Sequence, residues 1–228
     1  MSTLYAIPAT LGGEPATVLA PSALETIRGL RAFAVENAKS ARAFLKAVDM
    51  PCPLQDLRIV EIGTDTSPFL AVLGGGRDLG LLSEAGCPAI ADPGATVVSA
   101  AHAGGHRVVP LVGPSSLVLA LMASGLEGQR FAFCGYLPRE AAERQARIRA
   151  LEQRSRKEDE TELFIETPYR NDVMVAALLD TCAPSTRLCL ASDLTLPEQA
   201  VATKSIAEWR RRPPVIGKRP TVFLLLAR

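Results

Sequence analysis

The protein has 228 residues, 48% of them hydrophobic, enough for a large core and more natural as two compact α/β units than as one. Its 25 basic and 24 acidic residues leave a net charge of +1, so a surface for a polyanion has to come from local clustering. The five cysteines (Cys52, Cys87, Cys134, Cys182 and Cys189) are scattered and never spaced C-x-x-C, which excludes a disulfide framework or a zinc knuckle and fits reduced thiols in a cytoplasmic protein.

Short aliphatic runs alternate with amphipathic segments along the whole chain, the pattern of α/β architecture. The first strand is predicted at Leu4 to Ile7, turning at Pro8 to Gly13, and Ser22 with Glu25 has the spacing of a capping box opening a helix through Ile27 and Leu30. A strand at Ala32 to Val35 and a helix through Ala41, Leu45 and Val48 follow, the helix stopping before Met50-Pro51. Strands at Leu57 to Ile62 and Leu79 to Leu82 enclose a helix near Phe69 to Leu73. A helix at Ala95 to Ala103, ended by Gly104-Gly105, leads to a strand at Arg107 to Val112.

Gly113-Pro114-Ser115-Ser116 opens an apolar helix over Leu117 to Ala123, with a hinge expected at Gly125 to Gln129. Further strands are predicted at Phe131 to Tyr136, Glu162 to Ile165, Leu188 to Ala191, Ala200 to Thr203 and Thr221 to Leu226. Helices are predicted at about Glu140 to Arg156, at Asn171 to Leu179 and around Trp209. The stretch Met1 to Pro8 lacks the basic and apolar regions of a signal peptide, and no apolar run approaches the roughly 20 residues that span a bilayer, so no membrane partner is expected.

Three tempting motifs fail on their own chemistry. Gly74-Gly75-Gly76-Arg77-Asp78 gives no G-x-G-x-x-G register and reads as a turn. His102 and His106 have the spacing of a metal pair, but Gly104-Gly105 breaks the helix that would present them together, so no metal is expected. Gly113-Pro114-Ser115-Ser116 lacks the second glycine of a nucleophile elbow, and no histidine follows it.

What remains is a set of loops rich in Gly, Pro and Ser, each just after a predicted strand, where open α/β sheets bind ligands. In order they read Leu4-Tyr5-Ala6-Ile7-Pro8-Ala9-Thr10-Leu11-Gly12-Gly13, then Val35-Glu36-Asn37-Ala38-Lys39, then Ser83-Glu84-Ala85-Gly86-Cys87-Pro88 with Asp92-Pro93-Gly94. Val112-Gly113-Pro114-Ser115-Ser116, Gly135-Tyr136-Leu137-Pro138-Arg139, Phe164-Ile165-Glu166-Thr167-Pro168-Tyr169-Arg170 and Ala191-Ser192-Asp193-Leu194-Thr195-Leu196 follow.

This series, over nearly the whole chain, resembles the tetrapyrrole-methylase superfamily and is similar to the branch that methylates a cytidine ribose 2′-hydroxyl in small-subunit ribosomal RNA. The resemblance implies an α/β fold of two domains, an N-terminal parallel sheet with flanking helices (1–113) and a C-terminal mixed sheet with helices (114–228). It implies a homodimer, with S-adenosylmethionine in the cleft between the domains. Carried over position by position, the cofactor wall comprises Pro8, Ser83, Glu84, Ala85, Gly86, Ser115, Ser116, Ile165, Ala191, Pro220 and Thr221.

Methyl transfer from a sulfonium needs chiefly alignment and exclusion of water, but a ribose hydroxyl gains from a base or a charge that lowers its pKa. The family motifs point to Glu36, Lys39 and Glu166 as catalytic candidates. On this acceptor side the chain departs from the family: E-D-T-R stands as Glu36-Asn37-Ala38-Lys39, and A-R-E-L-T-K as Ala191-Ser192-Asp193-Leu194-Thr195-Leu196, so the acceptor is less fixed by the motifs than the cofactor. A small-molecule acceptor such as a tetrapyrrole is the alternative, against which the branch's glycine-rich loop after the first strand is missing. A cofactor-binding protein without turnover is another. RNA binding has local support in Arg139, Arg144, Arg147, Arg149, Arg154, Arg156 and Lys157, and again in Arg210, Arg211, Arg212, Lys218 and Arg219. Glu140, Glu143, Glu152, Glu158, Asp159 and Glu160 interleave the first cluster and support equally a solvated helix face.

Overall fold

A computed structural model describes residues 2–228, which divide between residues 115 and 116 into two compact units. The first unit is a five-stranded, all-parallel sheet in the order β3-β2-β4-β1-β5, with β1 Thr3–Ile7, β2 Ala32–Val35, β3 Arg58–Glu61, β4 Leu79–Leu82 and β5 Arg107–Pro110. Its central strands β2 and β4 are buried at every position, because helices cover both faces.

The alternation of side chains sorts the strands into two cores. Ile7, Phe33, Val35 and Leu82 face α2 (Pro21–Gly29) and α3 (Ala38–Ala47) through Ile27 and Leu45. Leu4, Ala34, Leu79 and Leu81 face α4 (Ser67–Gly74) and α5 (Gly94–Ala103) through Phe69, Leu73 and Val97. Gly80 sits in register between Tyr5 and Phe33, and a Cβ there would lie 2.7 Å from both Ile7 Cδ1 and Phe33 Cδ1. The strand is thinned at that point to admit the Phe33 ring.

Two local expectations are corrected. Ser22 and Glu25 lie inside α2, whose N-cap is Ala20 with Pro21 at the first helical position, so they form no capping box. The capping box is instead Ser205–Glu208, opening α9 (Ile206–Arg211). The short helix α1 (Pro15–Val18) was not foreseen.

The second unit is a five-stranded mixed sheet in the order β6-β7-β10-β8-β9, with β6 Phe131–Tyr136 parallel to β7 Thr161–Ile165 and the other pairings antiparallel. The strands β8 Arg187–Ser192, β9 Ala200–Ser205 and β10 Thr221–Leu226 complete it. One face packs on α7 (Ala141–Glu158), α8 (Asn171–Thr181) and α9 through Ile148, Met174, Leu178 and Trp209, around stacked Phe164 and Phe223 rings 5.5 Å apart. The other face carries α6 (Ser116–Ser124), tied down by Thr203 Oγ1 donating to the Ser124 carbonyl at 2.6 Å. Gly125 to Gln129, expected as a hinge, belongs to this unit: Arg187 donates to the Gly125 carbonyl and Thr161 to that of Glu127.

Candidate active site

In the first unit the chain leaves β1 toward the α2 and α3 face, whereas it leaves the neighbouring β4 toward the α5 face. The two exits diverge between adjacent parallel strands, opening a crevice at their carboxyl ends, the usual ligand site of such sheets. Both exits are loops singled out in the sequence.

These loops are fastened to each other through backbone. Ala9 N donates to the Gly86 carbonyl at 2.8 Å, and Ser83 Oγ donates within its own loop to the carbonyls of Ala85 and Gly86, both at 3.3 Å. Gly86 has φ +71°, a conformation that glycine adopts without strain. The loop after β5 joins them: a Cβ on Gly113 would lie 2.5 Å from Pro8 Cβ, so only glycine lets that loop approach buried Pro8. Cys87 Sγ donates to the Pro114 carbonyl at 3.5 Å. Pro8, Ser83, Glu84, Ala85, Gly86 and Ser115 are thus brought to one end of the sheet.

Of the catalytic candidates, Glu36 belongs to the same end, where its Oε2 accepts from Glu84 N at 2.9 Å. Lys39 is exposed in the first turn of α3. Asn37, which replaces the family's aspartate, caps that helix by accepting from Lys39 N at 2.9 Å and Ser40 N at 3.1 Å, so the substitution preserves the helix start. Between α3, the end of β4 and the β1 loop lies a cavity of about 270 Å³ lined by Thr10, Ser40, Phe44, Leu82, Ser83 and Glu84; Glu36 meets this lining only through Glu84, and Lys39 is not part of it.

In the second unit, Ile165, Val222 and Ala191 lie in one row across β7, β10 and β8, with Thr221 beside Ser192 in the next row, so Ile165, Ala191 and Thr221 gather at one end of that sheet. Thr221 and Ser192 share a hydrogen bond of 2.8 Å, and Pro220 enters the strand there with its carbonyl accepting from Asp193 N. Ser116 opens α6. Glu166 is 8% exposed, accepts from Thr167 N at 2.8 Å and lies 3.3 Å from Arg170. Its Oε2 is the oxygen that faces Arg170 and has no hydrogen bond, so the charge there is compensated by the ion pair without hydrogen-bond geometry.

The Asp193–Arg219 ion pair, 2.5 Å long, was not foreseen from sequence, although each partner stands in a segment singled out there. Arg219 Nη2 also donates to the Glu198 carbonyl at 2.7 Å, and Asp193 and Thr195 both have positive φ, +49° and +72°. The departure from the family text after Ala191 therefore coincides with a turn fixed by this pair. Among the described residues no group of side chains could hold a metal, and no helix is long and apolar enough to cross a membrane.

The two sheets and their loop ends define the class, a tetrapyrrole-methylase type of fold. It is shared with the solved diphthine synthase (TM-score 0.68, 16% identity, 100% of this chain and 90% of that one) and with the methyltransferase CobJ (0.64, 17%, 99% and 93%). The uroporphyrin-III-C-methyltransferase of Thermus thermophilus also matches (0.59, 19%, 99% and 94%); at such identities the likeness is one of fold. No model of a known protein family matches the chain. Curated relatives named ribosomal RNA small subunit methyltransferase I are 33% identical over 190 residues in Pseudomonas aeruginosa (83% of this chain, 66% of the relative) and 28% over 222 in Bacillus subtilis (96% and 73%). Another, from Xylella fastidiosa, is 36% identical over 152 residues (67% and 54%). The chain belongs to this ribosomal RNA small subunit methyltransferase I family. It spans between 54% and 73% of the length of these relatives.

Proposed function

We propose that the protein transfers a methyl group from S-adenosylmethionine to RNA, with a ribose 2′-hydroxyl of a small-subunit ribosomal RNA cytidine as acceptor. The observation that carries the reading is the crevice between the ends of β1 and β4, where three loops meet by backbone contact. Those loops, 8–13, 83–88 and 113–115, contain no Lys or Arg; Glu84 is part of the second, and Glu36 stands beside it. A site with carbonyls and carboxylates but no cation fits a positively charged sulfonium.

Pro8, Ser83, Glu84, Ala85, Gly86 and Ser115, at the loop end of the first sheet, would hold the cofactor; Ser116, Ile165, Ala191, Pro220 and Thr221 are carried over from the resemblance alone. When bound, the cofactor supplies an electrophilic methyl group. We assign the cavity of about 270 Å³, beside the cofactor loops, to the acceptor nucleoside. Thr10, Ser40 and Glu84 offer it hydrogen bonds, and Phe44 an aromatic surface.

Glu36 is held by Glu84 N through one oxygen, which orients the other to receive the proton of the acceptor hydroxyl. Lys39 places a positive charge near the start of the same helix and favours the alkoxide. Glu166, fixed by Arg170 and Thr167, acts by positioning the end of β7. The reading includes a homodimer and a cytoplasmic location, as the resemblance implies.

Calorimetry with S-adenosylmethionine and S-adenosylhomocysteine, followed by transfer of labelled methyl to small-subunit RNA lacking its own ribose methylation, tests the proposal. Binding of both cofactor forms and label in a cytidine ribose are expected. Absence of cofactor binding at high micromolar concentration would sink it, and label on a small molecule alone would reassign the acceptor.

A further inference from the structure

Helix α7 was open to two readings in the sequence, a basic surface for RNA or a solvated face of mixed charge. The structure separates them by showing where the acids go. Glu140 is the N-cap and accepts from Glu143 N at 3.0 Å. Glu152 is buried and accepts from Ala183 N and from the Thr186 hydroxyl. Glu158 pairs with Arg130 at 3.2 Å and Lys157 at 3.4 Å, Asp159 with Arg228 at 2.9 Å, and Glu160 with Arg154 at 3.4 Å. Glu143 is the one exposed acid of the helix left without an ion pair among the described residues.

The cations divide the other way. Arg144 turns inward to the carbonyls of Pro138 and Arg139, and Arg154 is held by Glu162 and Glu160. Arg147, Arg149 and Arg156 are exposed and make no ion pair or hydrogen bond with any described side chain. Arg149 and Arg156, seven residues apart, share one edge of the exposed arc, Arg147 lies on its other edge, and Lys157 stands between them. The neighbouring helix α8 presents Asp172 and Asp180 at its own surface, but Asp172 is engaged by Ile216 N and Gly217 N.

The helix begins just after β6, at the same end of the sheet as Ile165 and Glu166, because β6 and β7 run parallel. Its 18 residues extend about 27 Å away from that end. Exposed Arg139 precedes it.

We propose that the outer surface of α7 is a track for the RNA sugar–phosphate backbone, with Arg147, Arg149 and Arg156 each contacting a phosphate of the RNA. This rests on the methyltransferase reading given above and adds the surface by which the polymer is held. Such contacts carry no sequence information, so they set affinity and salt dependence and leave acceptor choice to the cavity.

The test compares wild type with R147Q/R149Q/R156Q, whose side chains have no partner to lose, and with R58Q/R77Q/R107Q, which removes the same charge at the amino ends of β3, β4 and β5. Binding of a fluorescein-labelled small-subunit RNA fragment is followed by anisotropy from low to high salt, with S-adenosylmethionine affinity and melting temperature measured in parallel. Three lost phosphate contacts to a single strand flatten the slope of log K against log salt by about 2. At about 0.1 M salt, Kd for RNA rises about tenfold or more in the α7 variant only. Cofactor affinity is unchanged. The single variant R156Q shows a slope change of about 0.7 and guards against a folding defect in the triple. Equal slopes in wild type and the α7 variant, or an equal loss in both triples, overturn the track alone. Wild type that binds RNA with the expected slope but transfers no methyl overturns the methyltransferase reading and leaves the track standing.

Discussion

The loop ends of the two sheets are built by different means. In the first unit the loops after β1, β4 and β5 carry no Lys or Arg and are held by backbone hydrogen bonds and the close approach of Gly113 to Pro8. In the second, the segments after β7 and β8 are held by the charge pairs Glu166–Arg170 and Asp193–Arg219, and Asn171 Nδ2 donates to the carbonyls of Gly217 and Arg219. Backbone packing is intolerant of added volume, whereas ion pairs are intolerant of a removed partner. The two units should therefore fail under different substitutions.

The largest effect is expected in the second unit, away from its loops. Glu162 on β7 is fully buried and its carboxylate is paired with Arg154 on α7. Arg154→Ala leaves that charge uncompensated and should destabilise by about 3 kcal/mol, at the low end for a buried pair because Arg154 is part exposed. Urea unfolding measures it, and a loss below about 1 kcal/mol would mean that Glu162 is held by other contacts.

The next effect belongs to the first unit. Gly113→Ala introduces a Cβ 2.5 Å from Pro8, which should cost about 1–3 kcal/mol and weaken cofactor binding. Gly63→Ala, with nothing within 4 Å of its new Cβ and no positive φ, is the control and should change stability by less than about 0.5 kcal/mol. Similar losses in the two variants would remove the close approach as the explanation.

The smallest effect concerns thiols of the second unit. Burial, reinforced by Glu162, pushes the Cys134 thiol up to about 11, and burial with the nearby Glu152 charge pushes Cys182 to about 12. Both folded values exceed the unfolded one, so the native state holds these protons more tightly above about pH 9. Stability is then full below pH 9 and falls as pH rises toward 11 and 12. Alkylation of Cys134 in the native protein at pH 8 should be roughly a hundredfold slower than in the unfolded chain, since a shift of two units removes that much thiolate. Equal rates for native and unfolded protein would contradict the burial of this thiol.

Much of the element order was legible because it rests on local pattern. Short apolar runs such as Leu79–Leu82 and Thr221–Leu226, four to six residues long, have the length of interior strands rather than helices, and Gly104-Gly105 ended α5 as expected. The capping box was misplaced because Ser22 and Glu25 have the right spacing, while Pro21 one residue earlier had already fixed the helix start. Ser205 and Glu208, with the same spacing, follow a strand directly and do cap. The local text is identical in kind, and only the flanking backbone separates the two.

The candidate site divides along the same line. Its loops could be found because Gly, Pro and Ser after a strand mark close backbone approach, and their order carried the family resemblance, which the curated relatives support. The sequence by itself thus determined the α/β class, the strands and the loops that follow them, since these depend on residues a few positions apart. Tertiary structure alone decided that β1 and β4 lie side by side with diverging exits, that Gly113 touches Pro8, and which charges of α7 are already spent on neighbours. Those facts join positions tens of residues apart, and chain periodicity holds no record of such distances.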